Sequence, residues 1–450
     1  MNTESQYSEY WETTILAFKQ LPIEWDLSKL GYEAWVRARL GWKGLKADEY
    51  VDEGFIFLST PNIKSRDIDF ENVNFITMER YKESPEIQLR VGDVLLAKDG
   101  STLGTVNYIR QLPRPATVNS SLAVITCNNK LDGLYVYYLF QSRPWTDLIG
   151  QLKGGMGVPH LFQSDLTKFP LPLPPKLEQE EISKKLDRET ARIDALIEKK
   201  TLFIELLKEK RQVLITQAVT KGLNPHVVMQ DSRVEWIGDA PAHWDVLSLR
   251  WCSTIQSGIA LGGASKVGIK YELPYLRVAN VQDGHLSLDN VKTVEVEKGQ
   301  IARYALKKGD VLMNEGGDND KLGRGAVWKG EIEPCLHQNH VFAVRPSPHL
   351  LPEWLAYCTQ SHTAKAHFRV NAKQSTNLAS ISSTNIKELK IPLPPLDEQQ
   401  AICESIVKNL ASVDTIIAKT ERSIDLLKEH RSALITAAVT GQIDLREDAA

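Results

Sequence analysis

Two stretches of this chain repeat an apolar position every seven residues. In the first, Leu186, Ile193, Leu207 and Leu214 hold one heptad position, and Ile197, Ile204 and Ala218 hold the other. In the second, Ile406, Val413, Leu427 and Leu434 alternate with Leu410, Ile417, Ile424 and Ala438. The residues between are mostly Glu, Lys, Arg and Ala, with no proline or internal glycine from 177 to 221 or from 397 to 440. Composition and period together predict two helices, each about 65 Å long at roughly 1.5 Å per residue. A seam of that length needs a partner helix, and its own copy is the obvious one, so an antiparallel coiled coil is expected. Lys200 and Thr420 interrupt the seam at equivalent places and read as a bend; Arg211 and Arg431 read as a polar register pin. Proline-rich runs lead into both helices, because proline disfavours helix in the residue before it. Asp397 with Gln400 has the spacing of an N-terminal cap, and Gly222 with Pro225, and Gly441, mark the exits.

The helices belong to a larger internal repeat. Leu173-Pro174-Pro175 with Glu178-Gln179 returns 220 residues later as Leu393-Pro394-Pro395 with Glu398-Gln399. Leu206-Leu207-Lys208-Glu209 returns as Leu426-Leu427-Lys428-Glu429, and Leu214-Ile215-Thr216 as Leu434-Ile435-Thr436. Fainter echoes reach back through the chain. Pro22 to Asp26 answers Pro241 to Asp245, Leu89 to Leu95 answers Leu306 to Leu312, and Gln141-Ser142 answers Gln360-Ser361. The expected organisation is an unmatched N-terminal arm over 1–20, helical around Tyr10 to Leu21. A first globular domain (21–175), a long helix (176–222), a second globular domain (223–395) and a second long helix (396–445) follow.

Each globular part reads as short strands, turns and a few helices, an α+β fold with a curved, mainly antiparallel sheet. Strands are expected at Gly54 to Ser59, Pro274 to Val281, Gly92 to Leu96 and Gly309 to Met313, with short helices at Leu134 to Ser142 and Pro352 to His362. The loops after the two Gly-Asp-Val-Leu strands are glycine-rich and polar, and they differ between copies, as suits two readers of different bases. Lysine, arginine, asparagine and glutamine pair bidentately with base edges, and the serines, threonines and histidines of the same loops can add single hydrogen bonds. On that ground the candidate contacts in the first copy are Lys98, Ser101, Thr102, Asn119, Ser120, Lys153 and His160. In the second they are Arg277, Asn280, Lys321, Arg324, His337, Gln338, Asn339, Lys373, Gln374 and Asn377. The plainer alternative for each is a residue that serves only its own hairpin.

Composition narrows the field. The 450 residues have room for two or three domains; 42% are apolar and 25% charged, as in ordinary globular protein. The N-terminus has no secretory signal pattern and no apolar run approaches a membrane span. Five scattered cysteines, with no Cys-x-x-Cys pair, suggest neither a disulfide frame nor a zinc knuckle and fit a reducing cytoplasm. The net charge of −3 counts against a nucleic-acid binder that works alone, since phosphate contacts leave a basic footprint. Local basic residues, or partners supplying most backbone contacts, would reconcile the two.

Enzyme readings find little support. The chain has no phosphate-binding Gly-x-x-x-x-Gly-Lys loop, and its Pro-Pro pairs lack the Asn or Asp of an amino-methyltransferase motif. Glu295-Val296-Glu297-Lys298 offers only a chance nuclease triplet, and alternation on a strand would send His337 and His340 to opposite faces. Asp318-Asn319-Asp320 lacks the spacing of a calcium loop. No catalytic or metal site is expected.

Taken together, the paired Leu-Pro-Pro-x-x-Glu-Gln helix openings, Trp236-Ile237-Gly238-Asp239-Ala240-Pro241 with Trp244, and the repeated Leu-x-x-Gly-Asp-Val-Leu strand form a specific combination. The chain resembles, over residues 20 to 445, the DNA specificity subunit of type I restriction-modification systems. The resemblance implies two target recognition domains, each reading half of a split asymmetric site, with the helices setting the gap between halves. It implies assembly with two adenine methyltransferase subunits and, in the full complex, with ATP-dependent nuclease-translocase subunits. S-adenosylmethionine, ATP and Mg2+ would belong to those partners and not to this chain. The alternative from another class is a coiled-coil scaffold carrying two protein-binding modules.

Overall fold

The computed structural model describes every residue except 1–5, 16, 40–44, 46, 65, 153–158, 261–268, 318–321, 375–378 and 447–450. Its contacts divide the chain into unit 1, residues 1–200 and 422–450, and unit 2, residues 201–421. The two predicted long helices span Lys176–Lys221 and Leu396–Val439, each unbroken and each shared between the units. The helix is continuous through both Lys200 and Thr420; Thr420 is buried and its hydroxyl donates to Ile416 O at 2.7 Å. A hydroxyl satisfied within its own turn leaves the seam no polar group to solvate.

Within each unit the two half-helices pack together and run in opposite directions. In unit 1, Arg431 donates to Asp194 at 2.9 Å, while Ile182 and Leu186 share a core with Ile435, Ala438 and Val439. In unit 2, Arg211 meets Asp414 at 3.3 Å, and Ile215, Ala218 and Val219 share a core with Ile402, Ile406 and Leu410. Of the heptad residues, Leu186, Ile193, Ile204, Leu207, Ile406, Leu410, Val413 and Ile424 are buried, whereas Ile197, Leu214, Ile417, Leu427 and Leu434 are half-buried. The outer turns do a second job, because Ile182 and Leu186 on one helix and Ile402 and Ile406 on the other also belong to the globular cores.

The capping pair expected from Asp397 and Gln400 does not form. The helix already begins at Leu396, with Gln399 N donating to Pro395 O, and Gln400 turns to Glu404. The neighbouring Glu-Gln pair ties the helix root down instead. Glu178 accepts from Trp25 Nε1 (2.9 Å) and Tyr7 OH (2.6 Å), and Glu398 accepts from Trp244 Nε1 (3.0 Å) and His243 Nε2 (2.9 Å). Gln179 accepts from Asp132 N and donates to Lys130 O and Pro174 O; Gln399 does the same with Leu351 N, His349 O and Pro394 O. Two side chains thus satisfy polar groups of several segments at the root of each helix, which accounts for their identity in both copies.

The globular parts share one topology. Unit 1 has a four-stranded antiparallel sheet in the order Ala34–Arg37, Leu122–Cys127, Val94–Ala97, Val106–Tyr108. Unit 2 repeats it as Ser253–Ser257, Val341–Pro346, Val311–Asn314, Gly325–Val327. Against it lies a three-stranded sheet, Asn74–Ile76, Phe55–Leu58, Ala116–Val118 in unit 1 and Lys292–Glu297, Lys270–Leu276, Leu336–His337 in unit 2, the last pair parallel in each. The Gly-Asp-Val-Leu strand is buried on both faces. Val94 and Leu96 join the core with the helices, and Leu95 and Ala97 join the core with the smaller sheet. A strand packed on both sides reads as a continuous apolar run, which is why this segment stands out in both copies.

Three further expectations are corrected. Residues 10–22 are not helical: Tyr10–Glu12 pairs antiparallel with Gln20–Pro22, around a turn in which Thr13 Oγ1 accepts from Ile15 N and Thr13 N donates to Lys19 O. This segment also has a counterpart, since Met229–Asp231 pairs with Asp239–Pro241 in the same way. The strand expected through Val281 ends at Leu276, and Val278–Asn280 is a 3-10 turn. Among the described residues no helix is long and apolar enough to cross a membrane.

Candidate nucleic-acid interface

The glycine-rich loops follow the Gly-Asp-Val-Leu strand. Gly92 and Gly309 begin it at φ of 95° and 91°, a left-handed turn that an L side chain resists. The next residue is a fully buried carboxylate. Asp93 accepts from Arg90 N at 2.8 Å, from Thr126 Oγ1 and from Arg37 Nη2 at 3.0 Å. Asp310 accepts from Lys307 N at 2.8 Å and from Arg345 Nε and Nη2 at 2.7 and 2.8 Å. Each pair is charge-assisted and fixes where the strand starts, hence where its loop emerges.

In unit 1 three separate stretches converge at the far end of that strand. Lys98 N donates to Ser121 O, Leu161 N to Lys98 O and Gly100 N to Pro159 O. The His160 ring bonds Asp99, and Lys98 Nζ lies 3.4 Å from the same carboxylate. Lys98, Ser101, Thr102, Asn119, Ser120 and His160 are thereby gathered. Ser101 and Ser120 are exposed; Lys98, Thr102 and His160 are half-buried, as is Asn119, whose Oδ1 accepts from Ser121 N.

Unit 2 builds the same junction from other residues. Glu315 N donates to His340 O and Ile381 N to Glu315 O, while Gly316–Gly317 pairs with Ala379–Ser380, itself paired with Lys373–Gln374. Exposed Lys373 and Gln374 and half-buried Gln338 and Asn339 line this end, and Arg324 reaches Gln282 Oε1 at 3.3 Å. The His340 ring meets Glu315 Oε2 at 2.5 Å.

Two of the sequence candidates, Asn280 and His337, turn inward to backbone groups, and a third, Arg277, lends its backbone N–H to the same turn. Asn280 is buried; its carbonyl accepts from Arg277 N and its amide donates to Ser287 O and Asn290 O. Arg277 is the N-terminal residue of that turn. His337 is buried and donates through Nδ1 to Val341 O at 2.7 Å, and burial holds its imidazole below the usual histidine range. Lys153, Lys321 and Asn377, with Asp318, Asn319 and Asp320, lie outside the described residues.

Sequence reasoning misses the twin of Asn280. Asn62 in unit 1 accepts from Ser59 N and donates to Asp69 O and Asn72 O, the same lock at the same place. The signal is a shared asparagine four residues past each central strand's end. It also misses Asp187 on the first long helix, which takes Arg66 at 2.7 Å, Arg110 at 2.6 Å and Tyr138 OH at 3.0 Å. Burial pushes this carboxyl up, but the bonds from Arg66 and Arg110 outweigh it and hold Asp187 below the ordinary aspartate range. The buried thiols are pushed up by burial, Cys252 to about 11 and Cys335 and Cys403 to about 12, which leaves them as protonated core residues at neutral pH.

The sequence pattern of the family described as type I restriction modification DNA specificity domain matches this chain twice, over residues 45–206 and 263–428. A protein of Methanocaldococcus jannaschii named type I restriction enzyme MjaVIII specificity subunit is 25% identical over 95% of this chain and 95% of its own length. Another from that organism, named putative type I restriction enzyme MjaX specificity subunit, is 29% identical over 45% of this chain, which spans about half (47%) of that protein. A solved structure described as the basis of complex assembly and conformational transition of the type I R-M system superposes with a TM-score of 0.70 at 17% identity, covering 93% of this chain and 98% of that one. That likeness extends the shared fold to nearly the whole chain. Two family matches on the two halves of an internal repeat, with equivalent loop junctions built from unlike residues, place this chain in the type I restriction-modification DNA specificity family, whose members select sequence and do not catalyse.

Proposed function

We propose that this chain selects the DNA site of a type I restriction-modification complex, each globular part reading one half of a bipartite asymmetric sequence. The observation that carries this reading is the pair of equivalent loop junctions. The frame is held constant by Asn62 and Asn280 and by Asp93 and Asp310, while the side chains offered differ: Lys98, Ser101, Thr102, Ser120 and His160 against Gln338, Asn339, Lys373, Gln374 and Arg324. A constant frame with variable tips is what two half-sites of different sequence require. The paired helices act as the spacer between half-sites, and their exposed faces dock two adenine methyltransferase subunits. S-adenosylmethionine, ATP and Mg2+ act in the partner subunits.

The test is a binding assay of the full chain, assembled with its methyltransferase, on duplexes carrying the adenines methylated in its host. Exchanging residues 25–170 for those of another family member is expected to change one half-site and leave the other. Seven residues inserted within Thr201 to Phe203 add about 10.5 Å of helix and are expected to lengthen the tolerated gap by up to about 3 base pairs. A complex indifferent to the bipartite sequence would refute the proposal.

A further inference from the structure

Beside the loop junction of unit 1, a cleft of about 510 Å3 separates the globular part from the helix pair. Its lining includes Gly104 and Thr105, which close the loop, four cations, Lys64, Arg66, Lys428 and Arg431, and one carboxylate, Asp194. Arg431 is held by Asp194 and Gln141, and Arg66 by Asp187. Lys64 and Lys428 are exposed and make no ion pair among the described residues.

The same place in unit 2 can be found from the repeat. Lys428 and Arg431 become Lys208 and Arg211, so two cations are retained. Lys64, two residues past Asn62, becomes Gln282, and Arg66 becomes Gly284, so two are lost. Thr105 precedes the strand residue paired with Leu96, and Arg324 precedes the one paired with Met313, so Thr105 becomes Arg324. Thr146, four residues past Ser142, becomes Lys365, four past Ser361, and two cations are regained. These residues are together in unit 2: Arg324 bonds Gln282, Lys365 Nζ bonds Gln212 and Asp283, and Gln212 Nε2 bonds Gln360 O. Unit 2 thus also carries four cations, at partly different positions, each with a neighbour: Lys208 with Glu205, Arg211 with Asp414, Lys365 with Asp283 and Arg324 with Gln282.

In unit 1 the fold leaves Lys64 and Lys428 without an ion pair among the described residues, and a diffuse polyanion needs only charge in the right place. We infer that the unit 1 cleft, and the matching group of cations in unit 2, seat the sugar-phosphate backbone of the duplex whose bases meet the adjoining loops. The inference rests on the DNA reading above and extends it. The loops read sequence, and the flanking cations supply affinity without sequence, in a chain whose net charge of −3 gives no general attraction to DNA. The local concentration of cations answers the objection that net charge raises.

The experiment is a salt titration of binding by the full chain assembled with its methyltransferase. Two labelled duplexes are used, one carrying the methylated site and one a scramble of it. Lys64→Gln with Lys428→Gln in unit 1, and Lys208→Gln in unit 2, are compared with Lys130→Gln and Lys308→Gln, exposed lysines near the opposite end of the sheet strands. Each substitution among Lys64, Lys428 and Lys208 is expected to reduce the slope of log affinity against log salt by about 0.9, on both duplexes, with their affinity ratio unchanged. An unchanged slope, an equal fall in the two controls, or a changed ratio with the slope intact would overturn the assignment. If the unaltered complex cannot tell the duplexes apart, the sequence-reading proposal fails, and the slopes still decide the backbone assignment.

Discussion

Asp93 and Asp310 occupy the same position on the same strand, are equally buried, and are neutralised from different directions. In unit 1 the guanidinium comes from Arg37 on the outer strand, helped by Thr126 on the strand between. In unit 2, Arg345 stands at the position of Thr126 and reaches Asp310 directly, while the outer strand supplies Gln256 where unit 1 has Arg37. The requirement is conserved by the fold and the solution is not. A carboxylate that pins the start of the Gly-Asp-Val-Leu strand must be paired, but any neighbouring strand that projects into its space can do the pairing.

The two solutions differ in exposure, which gives the largest expected effect. Arg37 is 4% exposed and Arg345 is 34% exposed. Asp93→Ala strands a buried guanidinium and is expected to cost about 3–5 kcal/mol. Asp310→Ala leaves an arginine that water can reach, and about 1–2 kcal/mol is expected. Hydrogen exchange at the amides of Leu95 and Leu312 reads the two units separately; equal losses would show that exposure does not decide the difference.

A smaller asymmetry lies at the helix roots. Glu178 is buried between Trp25 and Tyr7, whereas Glu398, 31% exposed, faces Trp244 and the half-open His243. Trp25→Phe is expected to cost about 2 kcal/mol and Trp244→Phe about 1 kcal/mol, the second carboxylate having solvent to fall back on. Urea denaturation of the two variants, followed by circular dichroism, would sharpen or erase that ratio.

The smallest effect is in acid. Asp187 has its carboxyl below the ordinary range in the folded chain, so the folded state binds its proton less readily than the unfolded state. Its contribution is complete above the ordinary aspartate pKa of about 4 and is lost as pH falls through the lower folded value. Unit 2 has Val407 at the matching position. Between about pH 5 and about pH 3, unit 1 is therefore expected to lose up to about 1 kcal/mol more than unit 2, and Asp187→Asn to remove most of the excess. Urea denaturation across that pH window checks it.

How much of the molecule is legible in the sequence follows the physics of each signal. The long helices announce themselves because a seven-residue period sustained from Leu186 to Ala218 arises in few folds besides a paired long helix. The doubly buried Val94 to Ala97 strand does so as a continuous apolar run. The hairpin at Tyr10 to Pro22 is hidden because Tyr10, Trp11, Ile15 and Leu21 suit either period, and Thr13 settles the matter through a turn that composition does not disclose. Asn280 and His337 resemble contacts because polarity in a loop does not reveal which way a side chain faces; both are turned inward to backbone groups. The unit 1 cleft is invisible for another reason. Lys64, Thr146 and Lys428 are neighbours only once the second long helix has returned to the first domain.

That return sets an order of assembly during synthesis. Residues 201–421 are contiguous, so unit 2 has all its parts before the chain is finished. Unit 1 does not: Tyr135 OH donates to Val439 O across 304 residues, and Ile435, Ala438, Ile443 and Leu445 complete a core begun by Phe18, Leu21 and Trp25. The body translated first is thus the one closed last. Its apolar face at Ile182 and Leu186 must wait, uncovered, until the ribosome has made the last turns of the second helix. A nascent chain stalled between residues 221 and 430 would carry that face bare, open to any apolar surface it meets.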